Sequence, residues 1–320
     1  MSHFNICSNI DNGVGLQKDA ELLRDLLVEW GHTAKLVHYK KQGDIEEAPR
    51  ARANIFLEVV AYNLVARHIA DQNWLIPNPE WFAAWDHQNA ISTFDKFLCK
   101  THDAVTILQR ELKEYRNKVQ YIGFESRDLY DSSIPRERKF LHLAGMSQYK
   151  NTQATVYAFS KVTIDDEQRP PLTVVTCYPD LCEFARDAKN VTVLKRVSDD
   201  EVKQLLNSHQ FHILPSGYEG WGHALWEGLG CGAVMMTTDH PPMNSYDGIA
   251  RNLLIPYQDT IPELSAQRAR VVAGPILASI QKALKMSPQE IVSTSAHARE
   301  AFLATKVEFR KNFQLLVNQL

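Results

Sequence analysis

The chain has 320 residues, 44% apolar and 23% charged, the composition of a globular protein with length enough for two domains of ~150 residues. Its 35 basic residues nearly balance 38 acidic ones, so no overall field selects nucleic acid, and no apolar run approaches the ~20 residues of a membrane span. Met1 to Ile6 lacks the basic start of a signal peptide, and five scattered cysteines (Cys7, Cys99, Cys177, Cys182, Cys231) without zinc-ligand spacing suit a reducing compartment, so the expected location is the cytoplasm.

Phe4 to Ser8 reads as a first strand, followed by a turn that holds Gly13 and Gly15. Leu16 to Trp30 reads as a helix whose apolar face is Leu16, Ala20, Leu23, Leu27 and Trp30. Gly31 ends it and Thr33 to Tyr39 returns as a strand, which makes a βαβ opening. The glycine turn lacks the full spacing of a dinucleotide fingerprint. Asn54 to Val60 and Asn73 to Ile76 are further strands, the second stopped by Pro77 and Pro79. That places Asn78 and Glu80 at a strand's C-terminal end, where open α/β sheets bind ligands, as acceptor candidates or as plain turn formers. Asp95 to Leu98, a helix from Lys100 to about Tyr115, and Val119 to Ile122 complete the first sheet.

Periodicity is lost after Gly123, and the stretch with Ser126-Arg127-Asp128 and Ser132-Ser133-Ile134-Pro135 reads as an interdomain connection. The expected division is therefore 1–125, a connection at 126–139, and 140–320, the last helix packing back on the N-terminal domain. Phe140 to Ala144, Leu172 to Thr176 and Val191 to Leu194 alternate with helices and argue for a second parallel sheet. Phe211 to Leu214 is a buried strand that leads through Pro215-Ser216-Gly217-Tyr218-Glu219-Gly220-Trp221-Gly222 into a helix from His223 to Gly230. A strand, a glycine-rich turn and a helix start form an anion-binding arrangement, because free N–H groups and the helix dipole point the same way. Glu219 falls in the loop and Glu227 about one turn inside the helix; the spacing alone suits either two ligand-binding carboxylates or a helix with a solvated glutamate. Asn252 to Ile255 reads as the last strand. Val272 to Lys285 and Ser287 to Leu320 read as helices, the second with an expected break near Ala304-Thr305.

Pro215-Ser216, Glu219-Gly220-Trp221-Gly222, Leu225-Trp226-Glu227 and Gly230-Cys231-Gly232, with a strand from Ala233 to Thr237, resemble the signature of glycosyltransferase family 4, the group 1 retaining glycosyltransferases. The resemblance implies a GT-B fold, an α/β architecture of two Rossmann-like domains facing a cleft. It also implies metal-independent transfer of a sugar, hexosyltransferase-like, from a UDP- or GDP-linked donor with retention at the anomeric carbon. No cofactor beyond that co-substrate is expected. On the same ground Glu219 and Lys150 are the catalytic candidates. Gly13, Gly15, Ser216, Gly220, Trp221, Gly222 and Glu227 are donor-binding candidates, with Glu227 at the ribose. The family's arginine and glycine around this lysine are replaced by Met146 and Asn151, and Arg127 is the candidate for the missing phosphate cation.

No Asp-x-Asp pair is present; Asp165-Asp166 and Asp199-Asp200 read as solvated helix-start charges, and the 12 histidines form no metal pattern. His142, His223 and His240 read as hydrogen-bonding or packing residues. The acceptor expected from family habit is a glycan or lipid-linked sugar of lipopolysaccharide or capsule, with peripheral contact at the inner face of the membrane and no nucleic acid. A sugar-nucleotide-binding protein without transfer, and an epimerase or phosphorylase on the same fold, are the alternatives.

Overall fold

The computed structural model describes residues 1–8, 14–38, 47–58, 69–82, 88–162, 170–185 and 190–320. The chain divides into two compact units, Met1–Phe124 with Pro262–Gln267 and Arg310–Leu320, and Glu125–Ile261 with Arg268–Phe309. Two stretches that the sequence assigns to the C-terminal half, 262–267 and 310–320, thus group with the N-terminal unit.

The first unit is built on a six-stranded sheet, β1 (His3–Ser8), β2 (Thr33–His38), β3 (Ala51–Leu57), β4 (Ala70–Ile76), β5 (Lys96–Cys99) and β6 (Val119–Tyr121). The strand order is β2-β1-β3-β4-β5-β6 and every pair is parallel. The central strands read as nearly unbroken buried runs, as both-face coverage requires. Helix α1 (Val14–Glu29) buries Leu16, Ala20, Leu23, Leu26 and Leu27. A one-turn helix α2 (Gln88–Ile91) follows, then α3 (His102–Glu111), whose first turn is capped by the Thr101 hydroxyl, which accepts from the Ala104 N–H. That helix is shorter than expected: a 3₁₀ turn, Lys113–Lys118, takes over its last residues.

Three asparagines lie side by side in the middle of this sheet, and the register places Asn5 opposite Asn54 and Asn54 opposite Asn73. Asn5 Nδ2 donates to Asn54 Oδ1 at 3.0 Å and Asn54 Nδ2 to Asn73 Oδ1 at 3.1 Å. A slip of one residue would break both bonds; Asn5 Nδ2 also donates to the Pro49 carbonyl at 2.8 Å, and Asn73 Nδ2 meets no partner among the described residues.

The second unit holds a five-stranded parallel sheet, β7 (Glu137–Gly145), β8 (Leu172–Thr176), β9 (Val191–Leu194), β10 (His209–Leu214) and β11 (Val234–Thr237), in the order β11-β10-β7-β8-β9. Its helices are α4 (Thr152–Ser160), α5 (Asp199–Ser208), α6 (His223–Gly230), α7 (Ala273–Leu284) and α8 (Pro288–Asn318). Alternation along β7 sorts the core. Phe140 joins Phe211, Phe159, Val174 and Ile280 on one face, and Leu141 joins Val175, Leu206 and Cys231 on the other. Arg136 donates to the carbonyls of Asn207, Cys231 and Gly232, placing a cation at the C-terminal ends of α5 and α6. Both sheets are Rossmann-like.

Three expectations are corrected. Asn252 to Ile255 is not a strand: Arg251–Leu253 is a 3₁₀ turn, and Ile255 makes a single bridge to Thr238. A two-stranded sheet, β12 (Asp259–Glu263) and β13 (Ala266–Arg270), stands where no strand was expected. Helix α8 runs unbroken through Ala304-Thr305, opened by a reciprocal Ser287–Glu290 cap. The expected break assumed one domain had to cover all its turns, whereas residues to Phe309 belong to the second unit and those from Arg310 to the first. Phe313 there packs against Trp30 and Trp74. No helix among the described residues is long and apolar enough to cross a membrane.

Two histidines of the second sheet hold it together in the neutral form. His142 Nδ1 donates to the Ile213 carbonyl at 2.7 Å and its Nε2 accepts from Thr152, while burial pushes its pKa down to about 4. His209 is likewise lowered to about 4 by burial. Above pH ~6.5 both folded and unfolded chains leave these rings neutral, and stability is level. As pH falls below that value the unfolded chain takes up protons that the folded chain refuses until about pH 4, so stability falls through this window. The expected loss approaches ~3 kcal/mol per histidine at its lower end. Urea titrations in steps from pH 7.5 to 4.5 should show it, with a shallower slope for His142→Gln.

Candidate active site

In the second sheet the chain moves from β7 through β8 to β9 on one side, then returns to lay β10 on the other side of β7. The loops that leave β7 and β10 at their carboxyl ends therefore diverge, and such a reversal of strand order opens a crevice for a ligand. These loops carry Lys150 and Glu219.

The two loops are fastened to each other. The Gly217 N–H donates to the Tyr149 carbonyl at 2.9 Å, and Asn151 Nδ2 donates to the Pro215 carbonyl at 2.6 Å. Asn151 adopts the left-handed conformation, φ 53°, which asparagine tolerates better than most residues. Its side chain thereby tethers one loop to the other. A Cβ at Gly217 would lie 2.7 Å from Arg268 Cγ and 3.0 Å from the Ala269 carbonyl, so the chain can pass here only as glycine. Gly222, φ 84°, turns the loop into α6 and leaves Gly220 and Trp221 buried behind it.

Lys150 Nζ donates to Glu219 Oε1, and both side chains are 12% exposed. Glu227, whose side chain is 2% exposed, accepts from Arg127 Nε at 3.2 Å, and Arg127 Nη1 also binds Asp199 at 3.0 Å. A carboxylate this deep needs such a partner. Arg127 Nη2 is buried and finds no hydrogen-bond partner among the described residues. Arg127 is therefore brought to the glutamate of α6 and not to Lys150, and Asp199 is tied to it instead of being only a solvated helix-start charge. Met146 is 60% exposed.

A further trio escaped the sequence reading. Trp221 Nε1, which can only donate, bonds to Ser126 Oγ at 3.0 Å. Ser126 Oγ also shares a hydrogen bond with His223 Nδ1, 2.8 Å away. Trp221 stacks on Trp226 with centroids 5.0 Å apart, and the Tyr246 hydroxyl holds the Trp221 carbonyl at 2.8 Å. The loop between β10 and α6 is thereby packed from beneath. Ser216 is buried, and its hydroxyl meets no partner among the described residues. His240 bonds the Pro241 carbonyl through Nδ1.

The remaining candidates belong to the first unit. Gly13 lies outside the described residues. Gly15 is in the first turn of α1, where an added Cβ would meet nothing within 4 Å. Asn78 precedes a 3₁₀ turn, Pro79–Trp81, that contains Glu80, and its side chain bonds Glu58 and Lys100.

Residues 137–273 match the family Glycosyl transferases group 1. No curated protein matches the chain in sequence. Among solved structures, sucrose-phosphate synthase from Thermosynechococcus elongatus is similar at a TM-score of 0.74 and 12% identity, over 100% of this chain and 99% of that one. The E. coli trehalose-6-phosphate protein bound with UDP-2-fluoro glucose gives 0.70 and 9%, over 100% and 99%. WaaG, a glycosyltransferase involved in lipopolysaccharide biosynthesis, gives 0.63 and 15%, over 93% and 95%. At these identities the likeness shows the fold, and the fold is GT-B.

Gly217 and Gly15 should answer differently to substitution. Gly217→Ala pushes a methyl group against a backbone carbonyl and should destabilise by roughly 1–3 kcal/mol. Gly15→Ala meets open space in a helix and should be neutral or stabilising by up to ~1 kcal/mol. Urea denaturation of both variants beside the parent measures the contrast.

Proposed function

We propose that this chain is an enzyme that transfers a sugar from a UDP- or GDP-linked donor to an acceptor hydroxyl, with retention at the anomeric carbon and without a metal. The observation that carries the reading is the Lys150–Glu219 ion pair at the strand-order reversal of a group 1 domain. A cation and a carboxylate held together there suit a ligand that is anionic at one end and becomes cationic beside it. The leaving diphosphate would take Lys150 and the N–H groups of Gly220, Trp221 and Gly222, a preorganised set of donors at a helix start. Glu219, released from Lys150, would face the positive charge that develops on the sugar ring. The bond from the anomeric carbon to the diphosphate oxygen breaks, and the acceptor oxygen bonds to the same face. The acceptor proton passes to the departing phosphate oxygen.

Arg127 acts in this reading through Glu227: its Nε–H bond holds the carboxylate oriented for the ribose hydroxyls. The part WaaG plays in lipopolysaccharide biosynthesis supports lipopolysaccharide or a related glycan as the product in this reading. A second reading, nucleotide-sugar binding without transfer, draws on Met146 in place of a phosphate cation. Nucleotide release from UDP-, GDP- and ADP-sugars, with and without added glycans, separates the two.

The carboxylates and their partners should part company kinetically. Glu219→Gln keeps the shape and removes the charge, and kcat should fall by ~100-fold with nucleotide affinity nearly intact. Arg127→Ala loosens a carboxylate at a part of the donor that does not react, so the donor KM should rise ~10-fold while kcat changes little. Lys150→Ala should weaken UDP or GDP by ~10-fold or more and leave the bare nucleoside unaffected. Steady-state kinetics and calorimetry with nucleotide and nucleoside provide the comparison; a Glu219→Gln variant that turns over normally excludes the catalytic role.

A further inference from the structure

The hairpin of β12 and β13 is divided between the units. Its turn, Pro262–Gln267, groups with the first unit, and its two ends group with the second. The burial of β13 carries the same division. Ala266 and Ala269 are both 1% exposed, yet they stand three residues apart in the strand. Successive side chains of a strand point to opposite faces, so these two face opposite ways, one in each unit.

Within the second unit β13 is fastened to both loops of the candidate site. The Ala269 N–H donates to the Gly217 carbonyl at 2.9 Å, while the Gly217 N–H donates to the Tyr149 carbonyl. The Arg268 guanidinium carbon lies 4.7 Å from the centroid of the Tyr149 ring, and the Arg268 stem fills the space that a Cβ on Gly217 would need. Tyr149 precedes Lys150, and Gly217 lies two residues before Glu219. β13 therefore holds the backbone beside both members of the ion pair. The Gln258 N–H closes the base of the hairpin on the Arg270 carbonyl at 2.9 Å, and Arg270 pairs with Asp259.

Within the first unit the turn is held as firmly. The Ser265 N–H donates to the Phe82 carbonyl at 3.1 Å, and the Ser265 carbonyl accepts from Arg110 Nη2 at 2.8 Å. Leu264 beside it takes φ 50°, in the left-handed region, although its side chain is 52% exposed. Leucine enters that region at a cost that no burial offsets here. Such strain persists where the surroundings over-determine the backbone, as the two bonds of Ser265 do.

We propose that this hairpin positions Lys150 and Glu219, with Arg268 as the positioning residue, and that its turn, anchored by Arg110, carries changes in the first unit to the two loops. That the loops act on a sugar donor rests on the proposed function; the coupling itself does not. A paired hairpin is a rigid element, and rigid elements joined by hydrogen bonds and packed side chains carry coupling between distant sites.

Hydrogen exchange of the full chain, read by mass spectrometry, tests this without donor or acceptor. Arg268→Ala should speed exchange severalfold in segments 145–151 and 215–222, because local opening there becomes easier. Arg268→Lys, which keeps the stem and the cation, should restore most of the protection. The Arg110 side chain is 59% exposed, so Arg110→Ala should fold, and it too should speed exchange in these two segments. With Arg268 already replaced by alanine, Arg110→Ala should add nothing there, since both act through one hairpin. In turnover each alanine variant should lower kcat by ~10-fold, as displacement of a catalytic pair does without loss of any contact to substrate. Unchanged exchange of both segments in Arg268→Ala overturns the positioning role. An Arg110→Ala effect confined to the chain around Phe82 and Ser265, or one that adds in full to Arg268→Ala, overturns the coupling. A parent chain that turns over no donor sinks the proposed function and leaves the exchange result standing.

Discussion

Everything in the second unit depends on β10 lying against β7, with the loops beyond them fastened back to back. His142 binds the two strands from inside, and Asn151 and Gly217 bind their loops from above. If those bonds were lost, Lys150 and Glu219 would sit on independent loops and the energy of holding them together would fall on their charges alone. Partly exposed charges hold side chains poorly, because water screens them and ordering them costs entropy. Backbone bonds set the positions first, and the ion pair then forms between groups already in place.

The same economy operates beneath the loop. Trp221, Trp226 and Tyr246 form an aromatic layer under Gly220 and Gly222, so the N–H groups at the start of α6 stand on a packed base. Arg127 neutralises Glu227 from a segment without strand or helix, and Arg136, just ahead of β7, gathers the carbonyls at the ends of two helices. One short stretch of chain thereby compensates a buried carboxylate and two helix ends.

The units share a plan and differ in chemistry. Each is a parallel sheet with one reversal of strand order, and each gathers polar side chains at the carboxyl edge beside it. In the second unit the edge carries glycines and a helix start, which suit an anion. In the first, Asn78 bonds Glu58 beside a lysine matched by Asp19.

The sequence by itself determined the two alternating α/β halves and the strand–turn–helix from Phe211 to Gly230, and the family resemblance singled out Lys150. These are local matters: strand and helix periods, glycines where φ must be positive, and prolines where a strand must stop all act within a few residues. Tertiary structure alone decided the partnerships. Arg127 and Glu227 are 100 residues apart, Ser126 and His223 97, and Lys100 and Asp19 81. Which of these meet is fixed by strand order, and strand order is a property of the whole sheet. The unbroken last helix has the same origin, since its length made sense only when its two ends had different units to belong to.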